Sequence, residues 1–192
     1  MKLKNIFVIV FLGLLAILVG LAIATYRISR IQTSPAFAQY GSWRGSKDLP
    51  LNRDDLVTTQ VTLFALFALP SEEAVYLFAM QDVDNKSLNG NSDYVIEGNV
   101  HNIKATYWSI TAYGKDQFLI PNDANRYSFN ANSLVTDSLG NYKIILSARR
   151  KVGNWLPLAK DVPFRLVLRL YQGNKDFLDH LDSAGLPVIK KL

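Results

Sequence analysis

An uncharged apolar run near the amino terminus is the feature that most constrains what this chain can fold into. Residues 6–24 are all apolar apart from the glycines Gly13 and Gly20. As an α-helix with a rise of about 1.5 Å per residue, the run is about 28 Å long, close to the ~30 Å hydrocarbon core of a bilayer. The sequence therefore predicts a single transmembrane anchor over residues 1–26, with residues 6–24 inside the membrane.

A cleaved secretory signal is the alternative interpretation of this segment. Such signals have an apolar run of about 7–15 residues, followed closely by a cleavage site with small residues. The run here is longer, and the best cleavage-like triplet, Ala36-Phe37-Ala38, begins twelve positions beyond Ala24. We therefore favour an anchor that stays attached.

The charges that flank the run bear on its orientation. Lys2 and Lys4 precede it, and Arg27 and Arg30 follow it, so the positive charge is nearly balanced across the membrane. The tail before the run is short and basic, which favours the amino end in the cytoplasm. We expect the rest of the chain to lie outside the cytoplasm, in the periplasm if the source is a Gram-negative bacterium.

Composition excludes several classes of function. The chain has 192 residues, with 21 Lys and Arg against 16 Asp and Glu, and a net charge of +5. This excess is small for a nucleic-acid-binding protein, so no nucleic-acid partner is expected. The absence of cysteine excludes disulfides and zinc–thiolate sites. The two histidines, His101 and His180, are far apart in sequence, so we expect no metal site, and no motif indicates a cofactor.

Turn-forming glycine and proline residues divide the chain after the apolar run into two parts. Residues 27–50 read as a tether, and residues 51–192 read as one domain. The domain opens with a predicted helix over residues 52–69, which Asn52 can cap and Pro70 ends. The second half of this helix is apolar nearly all round, which indicates burial on most sides. It is either a core helix under a sheet or a helix shared with a partner or the membrane surface.

From residue 71 onward the apolar pattern has a period of two, which is typical of β-strands. The clearest example is residues 163–171, where Phe164 and Leu166 alternate with Arg165 and Val167. Many short strands separated by turns predict a mainly β fold, an antiparallel jelly-roll-like sandwich with one or two short helices, preceded by the single transmembrane helix. The predicted strands are residues 75–81, 94–100, 105–113, 117–120, 126–130, 142–148 and 163–171, and a short helix is predicted at 176–181.

No motif for a catalytic mechanism is present. The sequence has no phosphate-binding glycine loop, no nucleophile elbow and no zinc-protease helix. The acidic pairs at residues 54–55 and 72–73 lie near the starts of expected elements, where they suit helix dipoles and turns. Catalytic residues are therefore left unassigned.

Aromatic, arginine and asparagine side chains recur on the predicted strands and loops. Arginine holds carboxylates and aromatic faces stack on rings, so a set of them can line a pocket for an anion or a sugar. The structural alternative is that the tyrosines fill the core or its rim while the arginines pair with acids. The ligand-binding candidates are Tyr107, Arg126, Asn154, Trp155 and Arg169.

The surroundings of Trp155 favour a loop. Gly153 and Pro157 bracket this residue, so we expect a shaped loop there instead of a strand. A tryptophan in such a loop either plugs the end of the core or lines a site, and we expect the core plug.

Six short motifs occur in order along the predicted domain. They are EAVY at 73–76, YWSIT at 107–111, LIPN at 119–122, RYS at 126–128, NWLP at 154–157 and FRLVLRLY at 164–171. Together they resemble those of the bacterial DUF1214 family, whose members have no assigned activity. The resemblance runs over about residues 41–189 and agrees with a jelly-roll-like sandwich.

The resemblance also implies a partner, because longer relatives carry a second domain, DUF1254, in the same polypeptide. A separate partner chain with a DUF1254 domain is therefore expected.

Two functions remain open from the sequence. The first is an uncharacterised envelope protein, anchored in the bacterial inner membrane, that acts as a non-catalytic binding or interaction module. The second is an envelope enzyme or ligand-binding domain for a sugar or small acid. Convergence of the five candidates in one pocket favours the second function. Their dispersal into separate contacts favours the first.

Overall fold

A computed structural model describes residues 3–29, 37–47, 55, 58–59 and 69–192. Helix α1 covers Leu3–Ser29, and its apolar side chains are exposed. The segment Asn5–Ser29 is long and apolar enough to cross a membrane, and a signal sequence has the same properties. The hydroxyl of Thr25 donates to the carbonyl oxygen of Leu21 at 2.8 Å, so this polar group has a partner within the helix.

Ten strands and the short helix α2 (Lys175–Asp179) follow α1 in the described residues, and Asp55, Thr58 and Thr59 between them are also helical. The strands are β1 (Ala38–Tyr40), β2 (Trp43–Ser46), β3 (Ala74–Ala79), β4 (Tyr94–Asn99), β5 (Ala105–Gly114), β6 (Ser128–Asn130), β7 (Asn141–Ser147), β8 (Trp155–Pro157), β9 (Phe164–Gly173) and β10 (Val188–Lys191). They form a six-stranded sheet in the order β1-β2-β3-β9-β5-β6 and a four-stranded sheet in the order β10-β4-β7-β8. The predicted mainly β fold is therefore confirmed.

The pairing of β8 departs from the expected antiparallel pattern. Every other pair of neighbouring strands is antiparallel, whereas β8 runs parallel to β7, with Trp155 beside Ile145. The smaller sheet is thus mixed. The predicted loop at residues 153–157 is wrong from Trp155 onward, because the chain after Gly153 turns back into the sheet at a positive φ of 82°.

The two sheets enclose one hydrophobic core. Alternation places Leu166, Leu168 and Leu170 of β9 inside, and all three are fully buried. Trp108 of the six-stranded sheet stacks on Tyr142 of the four-stranded sheet, with 5.8 Å between ring centroids. Burial of these side chains supplies most of the driving force that holds the sheets together.

The folded sheet begins within the segment predicted to be a tether. Strands β1 and β2 pair with each other, and β2 pairs with β3, so residues 38–46 belong to the six-stranded sheet. Trp43 is only 1% exposed and donates its indole N–H to the carbonyl oxygen of Pro187 at 2.6 Å. Gly45 is required here, because a Cβ at this position collides with the backbone carbonyl of Tyr76.

Three further predictions concern two helices and one strand. The predicted helix over residues 52–69 lies largely outside the described residues, although Asp55, Thr58 and Thr59 are helical. The predicted strand at 117–120 is wrong, because that segment makes only one isolated bridge, between Tyr113 and Leu119. The predicted helix at 176–181 is present as the shorter α2, capped by the side chain of Asn174.

Candidate functional site

The side of the six-stranded sheet that faces away from the hydrophobic core carries several arginine and tyrosine side chains. Strand register places Arg44, Phe78, Val167 and Thr111 in one row across it, and Tyr76, Arg169 and Ser109 in the next. Directly paired residues share a face, so these rows form one surface. We name it the arginine–tyrosine face, and its residues are Arg44, Tyr76, Phe78, Tyr107, Ser109, Thr111, Tyr113, Arg165, Val167, Arg169 and Tyr171.

Arg169 lies on the central strand β9 and is held by neutral oxygen atoms. Its Nη1 donates to Oγ1 of Thr111 at 3.1 Å, and its Nη2 donates to the hydroxyl of Tyr113 at 2.6 Å. Its Cζ lies 5.4 Å from the centroid of the Tyr113 ring, which adds a cation–π contact. The guanidinium is therefore fixed in orientation, and its charge is not neutralised by these contacts.

Arg165 is four residues before Arg169 on the same face. Its Nη2 donates to the side-chain carbonyl of Gln117 at 3.1 Å, and its Cζ lies 5.5 Å from the ring centroid of Phe78. Its Nε is buried and has no hydrogen-bond partner. Burial is the main cause that lowers the pKa of Arg165, and the nearby charge of Arg169 also lowers it. Arg165 nevertheless stays charged at neutral pH, because an unperturbed guanidinium titrates far above it.

The arginines of this face lack acidic neighbours in the described part of the chain. No carboxylate there lies within ion-pair distance of Arg44, Arg165 or Arg169. The Nε of Arg44 is also buried and without a hydrogen-bond partner. Three cations thus share one surface whose other members are neutral.

Tyr107 and Arg169, two of the five residues predicted from sequence, lie on this face. Tyr107 is 43% exposed, and its ring lies 5.7 Å from that of Tyr171. Its hydroxyl accepts a hydrogen bond from Nδ2 of Asn130 at 3.2 Å. These residues share a face because strands β5 and β9 are paired, with Tyr107 directly opposite Tyr171.

Arg126 and Trp155 contact each other elsewhere. Nη1 of Arg126 donates to the carbonyl oxygen of Trp155 at 3.4 Å, and the guanidinium lies 5.4 Å from the ring centroid of Phe129. Trp155 is half-buried, and its indole N–H donates to the carbonyl oxygen of Ser147 at 3.0 Å. Both side chains therefore make structural contacts between elements.

Asn154 is buried and uses its whole amide internally. Its Oδ1 accepts from the backbone N–H of Val135 at 2.9 Å. Its Nδ2 donates to the carbonyl oxygens of Val135 and Lys143 at 2.7 and 3.1 Å. It ties the loop at residue 135 to strand β7 and has little capacity left for a ligand.

A shallow groove of about 890 Å³ runs beside the four-stranded sheet, and Asn154 lines part of it. Two of its charged residues are paired, since Glu97 contacts Lys143 at 2.9 Å, and Glu97 also contacts Lys190 at 2.6 Å. The third, Asp137, accepts hydrogen bonds from Leu139 and Asn141. The hydrogen bonds from Lys190 and Lys143 lower the pKa of the Glu97 carboxyl. In the described residues, no three His, Asp or Glu side chains are grouped so that they can hold a metal ion.

Arg44 and Arg165 were not among the predicted site residues. The alternation of residues 163–171 does place Arg165 on the same side as Arg169, so a signal for Arg165 exists in the sequence. Arg44 lies in the predicted tether, and nothing in its local sequence indicates a sheet.

The solved structures that resemble this chain include proteins from two bacteria. The VPA0106 protein of Vibrio parahaemolyticus is 28% identical with a TM-score of 0.60, and the match covers 76% of this chain and 39% of that one. An uncharacterised protein from Burkholderia cenocepacia is 17% identical with a TM-score of 0.46, covering 87% of this chain and 40% of that one. The chain thus spans about two fifths of the length of these relatives.

Comparisons of the sequence itself identify a family and no curated relative. No curated protein matches the chain significantly. The sequence profile of DUF1214, described as a protein of unknown function, matches residues 73–175. The matched region includes strands β3 to β9, and thus Arg165, Arg169 and the tyrosines of the arginine–tyrosine face. The chain belongs to the DUF1214 family.

Proposed function

We propose that this protein is a membrane-anchored, non-catalytic binding module of the bacterial envelope. The observation that carries the proposal is the dispersal of the five predicted residues. Arg126, Asn154 and Trp155 serve structural contacts, whereas Tyr107 and Arg169 lie on the arginine–tyrosine face. No convergent arrangement of nucleophile, base and acid supports an enzyme among the described residues.

The proposed location follows from helix α1. A helix whose apolar side chains are all exposed needs an apolar environment, and a lipid bilayer provides one. The short basic segment before the apolar run supports an amino end in the cytoplasm and a periplasmic domain at the inner membrane.

The proposed partner is a separate chain that carries a DUF1254 domain. The VPA0106 protein is about twice as long as this chain, since the match covers 76% of this chain and 39% of that one. Longer members of the family carry a DUF1254 domain in the same polypeptide, and the proposed partner provides that domain as a separate chain.

A second function is a binding domain for a small acid. Three arginines without acidic neighbours on one surface favour this function. Their positive charge suits an anion and gives no particular advantage to a neutral sugar.

Co-purification of the full-length chain tests the first proposal. We expect an affinity-tagged chain, cross-linked in cells and extracted with mild detergent, to bring down a protein with a DUF1254 domain. The matched control is residues 1–36 fused to an unrelated soluble domain, which shares the anchor and lacks both sheets. Recovery of the same proteins with the control, and of none specific to the full chain, contradicts the proposal.

A further inference from the structure

Two arginines lie beside one aromatic side chain of the arginine–tyrosine face, and a third lies on the same strand face as one of them. Arg44 pairs with Phe78 in the register of β2 and β3, so the two residues are direct neighbours. The guanidinium of Arg165 lies over the ring of Phe78, with 5.5 Å from Cζ to the centroid. Arg169 is on the same strand face as Arg165, and its guanidinium reaches Tyr113, the residue paired with Arg165. The three cations therefore occupy one patch.

The surface beneath these cations is apolar and aromatic. Val167 lies between Arg165 and Arg169 on β9 and is buried, as is Thr111 beside it. Phe78 and Tyr113 support the flat guanidinium groups from below. This low-polarity support screens the charges less than bulk water does and strengthens any electrostatic interaction made at the patch.

The charge of the patch is not balanced by the neighbouring side chains that the structure describes. The acceptors of Arg165 and Arg169 are an amide, a threonine hydroxyl and a tyrosine hydroxyl, all neutral. The Nε atoms of Arg44 and Arg165 are buried and have no acceptor among the described residues. Like charges held together in partly buried positions destabilise the folded state unless a counter-charge is present.

We propose that this patch binds a small oxyanion that carries two or three negative charges on carboxylate or phosphate groups. Its oxygens accept hydrogen bonds from the guanidinium groups of Arg44, Arg165 and Arg169. This proposal specifies the ligand class of the binding module proposed above, and it therefore rests on that proposed function. It differs from the pocket expected from sequence, because Arg126, Asn154 and Trp155 lie outside it.

The geometry favours a multiply charged ligand. Arginine presents a planar fork of donors that matches carboxylate and phosphate oxygens, and three such forks neutralise more than one negative charge. The exposed ring of Tyr107, beside Tyr171, lies at the margin of the same face and adds a surface for the non-ionic part of the ligand.

Thermal unfolding and calorimetry of the full-length chain in a non-ionic detergent test the site. The probes are citrate, inorganic phosphate and monomeric dihexanoyl phosphatidic acid, each against sodium chloride of equal ionic strength. We expect at least one probe to raise the melting temperature in a saturable manner. Arg165→Gln is expected to weaken its affinity by about tenfold or more, because a charge-assisted contact is lost.

Arg165→Gln also has a distinctive effect without ligand. Removing an unbalanced, partly buried charge is expected to leave the ligand-free melting temperature unchanged or higher, so lost binding is not explained by unfolding. Arg44→Gln provides a second variant with the same expected loss of binding. The matched control is Arg150→Gln, which removes the same charge from an exposed position outside the face and should bind like the wild type.

The three probes separate the sources of the anion. A shift with citrate or phosphate that depends on Arg165 assigns a free metabolite-like anion, and one with only the lipid assigns a phospholipid headgroup. Equal shifts in the wild type, Arg165→Gln and Arg150→Gln, or no shift with any probe, overturn the site. Failure of the anion site leaves the co-purification result intact, so the two proposals fail separately.

Discussion

Ser147, at the end of β7, forms hydrogen bonds with four residues through its hydroxyl group and its carbonyl oxygen. Its hydroxyl donates to Oδ1 of Asp93 at 2.6 Å and accepts from the backbone N–H of Arg149 at 3.0 Å. Its carbonyl oxygen accepts from the Trp155 indole and the Leu158 backbone. Since Ser147 is fully buried, each of these bonds replaces a bond to water that folding removes.

Asp93→Asn tests the charge in this network. Lys151 contacts Oδ2 of Asp93 at 2.6 Å, and the hydrogen bonds from Lys151 and Ser147 lower the pKa of the Asp93 carboxyl below its ordinary 3.8. We expect the variant to lose about 1–2 kcal/mol of unfolding free energy at pH 7, measured by urea denaturation.

The pH dependence of this loss follows from the sign of the shift. A lowered pKa of Asp93 in the folded state stabilises the protein above the unfolded value, and the benefit is lost as the pH falls through the folded value. The difference between wild type and Asp93→Asn should therefore shrink below about pH 4. We expect Lys151→Gln to show the same pH dependence as Asp93→Asn. A difference in unfolding free energy between wild type and variant that stays constant from pH 7 to 3 contradicts this account.

Trp155→Ala distinguishes a structural role from a ligand-binding role. The side chain is half-buried and makes one hydrogen bond, so we expect a loss of about 2 kcal/mol, below the ~3–5 kcal/mol of a fully buried tryptophan. Trp108→Ala, at a fully buried site, provides that reference, and thermal melting measures both. An unchanged melting temperature for Trp155→Ala indicates that the ring is available to a ligand instead.

At the level of elements, the long strands were predictable, whereas among the short strands β6 was predicted and β1, β2 and β8 were missed. Strands β5 and β9 have ten residues each, and their strict alternation identifies both their existence and their faces. That alternation also placed Tyr107 and Arg169 on outward faces. Strands β1, β2 and β8 have three or four residues, and glycine or proline within or beside them reads as a turn.

The arrangement of the site depended on pairings that the sequence does not encode locally. Arg44 meets Phe78 only because β2 adds to β3, and the two residues are 34 positions apart. Arg126 contacts Trp155, which is 29 positions later in the sequence. Neither residue therefore lies in the pocket that was predicted. Residue type identified chemically capable side chains, whereas strand order decided which of them are neighbours.

Truncation tests whether β1 and β2 belong to the domain. A chain that starts at Phe37 keeps Trp43, whereas a chain that starts at Asp48 lacks it and leaves the edge of β3 unpaired. We expect the shorter chain to melt at least 10 °C lower or to stay unfolded, since loss of a buried tryptophan costs about 3–5 kcal/mol. Circular dichroism of both chains decides this, and equal melting temperatures indicate a dispensable tether.

At the scale of the whole molecule, the apolar helix and the two sheets meet different solvents. The exposed apolar surface of α1 suits lipid, while the sheets bury their apolar side chains against each other. The short segment between Ser29 and Ala38 separates them in sequence. The proposed function at a membrane surface therefore depends on whether α1 is retained.

The amino terminus of the mature protein provides that test. Cleavage after Ala38 removes the first residue of β1, which pairs with Gly45, so we expect the anchor to be kept. Intact mass and amino-terminal sequencing of the protein from isolated membranes should show a chain that begins at Met1 or Lys2. A mature chain that begins at Gln39 identifies the helix as a signal sequence.

The bond between Trp43 and Pro187 also has a consequence for the newly made chain. Its two ends are 144 positions apart, and at about 5–20 residues per second the ribosome needs about 7–30 s to supply the second after the first. Strand β10, which pairs with β4, emerges later still. Contacts so distant in sequence delay folding, and the last steps wait for the end of translation. The growing chain therefore stays open during synthesis, as the periplasmic location proposed above requires.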